Sequence, residues 1–501
     1  MRRGRSRSRE NGENCDGYAG ALRVEVHLPN GSGSSVTRPP ECLVRDLKAA
    51  AQQHFWRRFL RLAAGSRELS LTQTLHQAGV RSGDRIEAIP GHVQLAATKG
   101  AFALYVQHGS VVTWGHSGSG GSSSHVRDQL LRALRIQATE RAFAAILNDG
   151  TVVTWGDPES GGNSCEVRGQ LKHVRQIQST GFAFAAIRDD GSVVTWGNEE
   201  LGGDSSGVQD QLRGVKQIQA TGTAFAAILN DGKVVTWGDA ASGGDSSRVR
   251  RRLNQVQQIQ ASAHAFAAIR QDGTVVTWGD SESGGSSDRE KDCLTQVRQI
   301  QASGAAFAAI RDDGKVVTWG DSSCGGDSSE VRKKLVQVQQ IQATGDAFAA
   351  IRDGGTVVTW GHPDCGGDSS GVQHHLTQVK QIQASGSAFA AIRDDGKVVT
   401  WGDPKGGGDS SCVRLTRVEQ VHATHSAFAA LRQDGTVLTW GARNAGGVCS
   451  DELWKKCARV QRIQASEGAF AALLEDGAVV AWGDPFSGGD ASRVQGELDL
   501  L

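Results

Sequence analysis

Tryptophans followed by glycine recur at Trp114, Trp155, Trp196, Trp237, Trp278, Trp319, Trp360, Trp401, Trp440 and Trp482. Seven of the nine intervals between them are 41 residues, one is 39 and one is 42. A fixed period of about 40 residues marks a solenoid or a propeller, because each unit can bury its apolar face only against its neighbours. The period therefore assigns residues 92–501 to ten copies of one small module.

One copy shows what the module is. In Val379–Gly402, VKQIQASGSAFAAIRDDGKVVTWG, the segment VKQIQA alternates apolar and polar residues, SAFAAI is small and apolar around Phe389, and KVVTW is rich in β-branched residues. These read as three strands, the last two joined by a two-residue hairpin turn at Asp395 and Gly396. After each tryptophan the period changes. In GGDSSRVRRRLNQV, Val249, Leu253 and Val256 fall at i, i+4 and i+7, which predicts a short amphipathic helix capped by Asp245, Ser246 and Ser247. Full burial of one tryptophan removes roughly 150–250 Å² from water, a gross contribution of about 4–6 kcal/mol. The tryptophans, with Phe143, Phe184, Phe225, Phe266, Phe307, Phe348 and Phe389, are the expected repeat core. Their sameness follows from stacking alone. The glutamines of each QIQ, such as Gln258 and Gln260, Gln299 and Gln301, or Gln340 and Gln342, are expected to form amide ladders between units in preference to lining a ligand channel.

Two other regions precede the repeats. Residues 1–21 carry five arginines among the first nine positions and are expected to be disordered, either a nuclear address or a solvated tail. Residues 22–90 read as a hairpin (LRVEVHLPNGSGSSVTR), a helix over CLVRDLKAAAQQHF with Leu43, Leu47 and Ala50 or Ala51 on one face, and further short strands in FLRLAAGSREL and TLHQAGVRSGDRIEAI.

The head, through its ββαββ order and the stretch TLHQAGVRSGDRIEAI after AAGSREL, resembles the ubiquitin-like family. That implies a small α+β domain of the β-grasp type and partners in the ubiquitin pathway. IPGHVQL stands where a terminal Gly-Gly would be, and Arg61 interrupts the strand that would carry the apolar docking patch, so conjugation as a tag is not expected. The phrase AFAAIRDDGKVVTWG, Ala388–Gly402, resembles the regulator-of-chromosome-condensation repeat, and its length is closer to the three-stranded blade of β-lactamase inhibitory protein II. That family's usual Gly-x-His is replaced by segments such as ATGTAF and ASGAAF. The resemblance implies a mainly β, propeller-like array. Ten units exceed the usual four to eight blades, so either a closed ring or an open superhelix is expected. It also implies loops on one face that bind proteins, in roles that range from nucleotide exchange on a small GTPase to substrate capture. The ligases of that family append a catalytic domain, whereas this chain stops inside its last repeat, so no self-contained ligase activity is expected.

Composition removes other classes. Lys plus Arg equals Asp plus Glu at 54 each, so no global field draws the chain to nucleic acid or anionic lipid; no apolar run approaches the ~18 residues that span a bilayer. A cytoplasmic or nuclear location is expected. Nine cysteines without a CxxC pair indicate neither a disulfide framework nor a zinc site, though Cys324 and Cys365 share one repeat position. GDSSG at Gly203–Gly207 and Gly367–Gly371 matches a hydrolase pattern, but it lies in a capping turn and sister copies vary its last residue. The basic stretch Ser246–Leu253 lacks interleaved aromatics, and nucleic-acid binding is not expected. Asp157, Asp239, Asp280, Asp321 and Asp403 after TWG, with Asp204, Asp245, Asp327, Asp368 and Asp409 in the capping turns, are a candidate partner-binding rim. They lack the spacing of a calcium loop, and no metal, cofactor or catalytic residue is expected. The sequence reading is a non-enzymatic protein-interaction scaffold; the alternatives are an adaptor in the ubiquitin pathway and an exchange factor for a small GTPase.

Overall fold

The computed structural model describes residues 21–29, 32–55, 60–65, 67–70, 73–90, 93–106, 111–448 and 459–500. The arginine-rich stretch, Cys15, Cys449 and Cys457 lie outside the described residues. The chain divides into two compact units, Met1–His92 with Glu475–Gly477, and Val93–Leu474 with Ala478–Leu501.

In the first unit, strands β1 (Leu22–His27), β2 (Gly33–Arg38), β3 (Leu60–Ala64), β4 (Arg67–Glu68) and β5 (Arg85–Pro90) form one sheet in the order β2-β1-β5-β3-β4. β1 and β5 run parallel; the other pairs are antiparallel. Helix α1 (Val44–Phe55) contributes Val44, Leu47 and Ala51 to a core shared with Val24, Val26, Leu62 and Ile86. The expected ββαββ order holds, with β4 as an additional short strand.

The second unit holds ten three-stranded antiparallel sheets, each in sequence order. Unit 6 is typical: Val297–Ala302, Ala306–Arg311 and Val316–Gly320. Alternation puts the two apolar faces of each sheet to different uses. In unit 4 the phenylalanine and tryptophan, Phe225 and Trp237, pack backward on Ala183, Ala185 and Ile187 of unit 3. Its Ala224, Ala226 and Ile228 pack forward under Phe266 and Trp278 of unit 5. Within every unit the two rings stack, with centroids 5.1–5.4 Å apart. Phe102, Phe428 and Phe470 thus extend the core to all ten units.

Each indole also donates to the carbonyl of a glycine in the preceding unit, for example Trp278 Nε1 to Gly243 O at 3.0 Å. That glycine has φ near +90° and lies on the next unit's phenylalanine: a Cβ at Gly243 (φ +95°) would meet Phe266 Cδ2 at 2.6 Å. The first unit finds the same partner in the last. Trp114 Nε1 bonds Gly488 O at 3.0 Å, Gly488 lies over Phe102, and Arg127 pairs with Glu497 at 3.0 Å. The array is therefore a closed ten-unit ring and not an open superhelix. A second set of bonds follows the ring. Main-chain N–H groups of Lys99, Glu140, Gly181, Gly222, Ala263, Gly304, Gly345, Gly386 and His425 each bond a carbonyl in the next unit at 2.7–3.0 Å.

Three local expectations are corrected. The hairpin turn has three residues: Arg393 N bonds Lys397 O across Asp394–Gly396, and Gly396 takes φ +72°. A left-handed third residue is what a loop of this length requires. Unit 10 has a short α-helix, Gln495–Leu500, after its Gly-Gly, but in units 1 to 8 the segment after Gly-Gly is not an amphipathic α-helix. It is a 3-10 turn, as in Ser206–Gln211, or a few linked turns. Between the capping aspartate and the next strand there are too few residues to repay helix nucleation, and Val256 already belongs to that strand. Finally, no amide ladder joins the QIQ glutamines among the described residues. In the first strand of unit 1, Gln94 bridges two units through the main chain of Ile136 at 3.0 and 3.2 Å, whereas Gln301 and Gln464 bond the next residue's carbonyl.

The ring should be most sensitive where the glycine meets the ring of its neighbour. Gly243→Ala is expected to cost about 2 kcal/mol or more, from overpacking and a strained φ. Trp278→Phe should cost a comparable amount by leaving the Gly243 carbonyl unbonded. Denaturant melts of both variants against Gly207→Ala, where nothing lies within 4 Å of the added Cβ, will check the contrast.

Candidate interaction face

Two loops of every unit meet on one face of the ring. The first joins strands one and two and begins with a buried Thr or Ser. In unit 2, Thr139 Oγ1 accepts from Ala142 N at 2.9 Å and donates to Ser160 O at 3.0 Å, locking this loop to the second one, which follows Trp155. Asp157 N bonds Arg141 O at 3.0 Å, so the third residue of the first loop sits beside the start of the second. That third position is Arg141, Phe182, Thr223, His264, Ala305 and Asp346 in units 2 to 7. Across these six units a fixed frame carries six different side chains.

The candidate aspartates fall into two sets. Those after TWG cap the Gly-Gly turn: Asp239 accepts from Ala241 N at 3.1 Å and from Ser242 Oγ at 2.5 Å. The Ser242 hydroxyl, helped by Thr223, holds the Asp239 carboxyl below the usual carboxylate range, opposed only by slight burial. Those in the GDSS turns bond the residue two places on, as in Ser247 N to Asp245 Oδ1 at 2.8 Å, which depresses the Asp245 carboxyl in the same way. The first serine does not cap. It is buried and bonds the third strand, Thr236 Oγ1 to Ser246 Oγ at 2.9 Å. The aspartates expected as a rim are thus committed first to their own turns.

The same bookkeeping disposes of the chemical candidates. In GDSSG of unit 3, Ser205 Oγ lies between Thr195 Oγ1 (3.0 Å) and Gln209 Oε1 (2.9 Å), with no histidine in the arrangement. Ser242 does touch both an acid and a histidine, His264 Nδ1 at 3.1 Å. Its proton, however, goes to Asp239, so the histidine is not its base, and Ser242 is buried. Among the described residues no group of three His, Cys, Asp or Glu side chains is placed to hold a metal. In the basic stretch of unit 4, Arg250 bonds Gln211 of the neighbouring outer segment at 2.8 Å.

One cluster was only half legible. Cys324 and Cys365, at the same position of units 6 and 7, converge on one carboxylate: Cys324 Sγ to Asp346 Oδ1 at 3.1 Å and Cys365 Sγ to Asp346 Oδ2 at 3.6 Å. Burial, then the hydrogen bond to Asp346, push the Cys324 thiol up to about 11. Burial, then the charge of Asp346, raise Cys365 as well. The shared repeat position pointed to proximity of the thiols; the acid between them comes from a different loop.

Two outcomes follow from these shifts. A thiol two units above its usual value holds about a hundredfold less thiolate at a given pH. At pH 8, iodoacetamide should therefore modify exposed Cys165 and Cys412 well before Cys324, and Asp346→Asn should speed Cys324 without altering the other two, as read by peptide mass mapping. The turn aspartates have folded-state values below their unfolded ones. Their stabilisation is present above about pH 4 and is lost as pH falls through the depressed range. Thermal melts should fall steadily below pH 4.

No family model matches the chain, and no curated protein does. Solved structures share parts of its form. The yeast Prp20 bound to Kap60 is 15% identical over 47% of this chain and 72% of that one, with a TM-score of 0.31. Prp20p from Saccharomyces cerevisiae, studied with Gsp1p and histones, is 16% identical over 55% and 83%, with a TM-score of 0.31. A ubiquitin from Caldiarchaeum subterraneum is 23% identical over 14% of this chain and 94% of that one, with a TM-score of 0.14. The repeated three-stranded sheets themselves, with their stacked Phe-Trp pairs and Gly-Gly turns, fit repeats of the regulator-of-chromosome-condensation type, set here in a closed ring of ten.

Proposed function

We propose that the protein is a non-enzymatic scaffold that holds a protein partner on the loop face of its ring, with residues 22–90 as a ubiquitin-like docking head. The observation that carries this reading is the division of labour within each unit. Core, caps and turn hydroxyls are engaged in holding neighbours together, and variation falls on exposed segments, among them the two loops that meet on one face. Rigid scaffolds with variable loops are how such folds recognise partners. The head supports its part through strand order β2-β1-β5-β3-β4 with one helix packed on the sheet.

The loops of units 2 and 3 carry Glu159, Glu199 and Glu200 together with Phe182, while Glu140 pairs with Lys99 at 2.9 Å and Asp157 with Arg141 at 3.5 Å. This suits a partner with a basic, partly apolar surface. Proximity labelling with the full chain should recover a protein partner. Glu199→Lys with Glu200→Lys should slow association by about tenfold at low salt and less at high salt. Deleting residues 22–90 should leave that partner bound while removing any ubiquitin-pathway components. Accelerated nucleotide release from a small GTPase, lost with the same loop charges, would instead favour the exchange-factor reading.

A further inference from the structure

The third strand of each unit is a sheet edge, and in unit 6 it floors a groove. The cavity, about 840 Å³, is lined by Val316–Gly320, by the outer segment that follows (Asp327–Ser329 and Arg332) and by the preceding unit's segment (Asp288–Glu290 and Cys293). Similar grooves of about 840 and 950 Å³ flank units 3 and 7.

Hydrogen-bond parity fixes what the strand offers. Arg311 N bonds Lys315 O and Asp321 N bonds Ala305 O. In an antiparallel ladder alternate residues face the partner, so Lys315, Val317, Trp319 and Asp321 bond inward. The main-chain groups of Val316 and Thr318 therefore point away from the sheet. Two other units show what this edge accepts. Gln209 Nε2 donates to Val193 O and Gln373 Nε2 to Val357 O, both at 3.0 Å. Val193 and Val357 are the counterparts of Val316, so an amide N–H already seats on this edge elsewhere in the ring.

Unit 6 lacks that amide, because Arg332 replaces the glutamine. Among the described residues no hydrogen bond reaches the Val316 carbonyl, and the Arg332 guanidinium has no partner. Three of its counterparts do: Arg127 pairs with Glu497, Arg168 bonds Gln129 and Arg250 bonds Gln211; among the described residues Arg414 of unit 8 shares the unpaired state of Arg332. In unit 6 the residue at that reach, 39 places earlier, is Cys293. Four carboxylates also line the groove: Asp327 accepts from Ser329 N and Asp288 from Ser286 Oγ, while Glu282 and Glu290 lie on the preceding unit's side with Arg289, so an acidic ligand side chain has its one favourable place at Arg332.

We propose that the unit 6 groove binds an extended peptide as a fourth strand, with peptide N–H groups on the Val316 and Thr318 carbonyls and an acidic side chain on Arg332. This uses the known energetics of strand addition, where the main chain gives affinity and one side chain gives selectivity. It is independent of any partner on the loop face.

The test is fluorescence anisotropy of the full chain with a labelled, acetylated Thr-Val-Thr-Glu-Thr-Val-Thr peptide. Its comparison probes carry Gln or Lys in place of Glu, or alternate N-methyl groups. The Glu peptide should bind at least tenfold more tightly than the Lys and N-methylated forms. Arg332→Gln, which supplies the blocking amide of units 3 and 7, should weaken it at least tenfold. Arg332→Ala should abolish the preference for Glu over Gln yet keep the sensitivity to N-methylation, which separates loss of recognition from loss of fold. Gln373→Arg should raise the number of sites by one. Equal binding of the N-methylated peptide, a preference for Lys, or no binding of any probe to the wild-type chain would overturn the proposal.

Discussion

The ring depends on one contact repeated ten times. An indole N–H reaches back to a glycine carbonyl in the preceding unit, and that glycine lies flat on the phenylalanine stacked beneath the indole. The bond satisfies two polar groups in a dry interface, where leaving either unmet costs about 1–3 kcal/mol. The close approach demands a residue with no Cβ and a positive φ, which glycine alone supplies without strain. Closure follows because Gly488 presents to Trp114 the same carbonyl that Gly120 presents to Trp155. A ring closed by its own repeat contact needs no separate latch.

This arrangement explains why polar residues in the repeats look catalytic in sequence and are not so in space. Serines of GDSS, threonines of VVTWG and the aspartates around them form short closed networks, each group meeting another within its own turn or the neighbouring strand. A hydroxyl bonded on both sides has no proton to give and no access to substrate. What is left uncommitted lies at the margins, in the varied loops of one face and in outer segments where a substitution breaks the local pattern. Arg332 opposite Cys293 is such a break, and so is Asp346 between two thiols.

Much of the fold was legible. The count of units, the three strands of each and the identity of the stacked Phe and Trp residues follow from the period and from alternation. The helix of the head, with Leu47 and Ala51 buried, follows from spacing. The failures share a cause. The outer segment reads as a helix because Val249, Leu253 and Val256 have helical spacing, but Val256 is buried as part of a strand. The glutamines read as a ladder because they recur, yet recurrence at one position does not bring two amides within hydrogen-bond reach. Of the site, the loops with varied residues could be picked out; the meeting of two loops on one face could not, since it rests on bonds such as Asp157 N to Arg141 O between segments 16 residues apart.

By itself the sequence determined that ten like modules must bury their apolar faces on one another, since no single 41-residue unit can shield a tryptophan and a phenylalanine alone. Only the tertiary structure decided that they close. Closure depends on the angle between neighbouring sheets summed over ten steps, and a small change in that angle would turn the same modules into a spiral. The period records that neighbours touch; it carries no record of whether the last one meets the first.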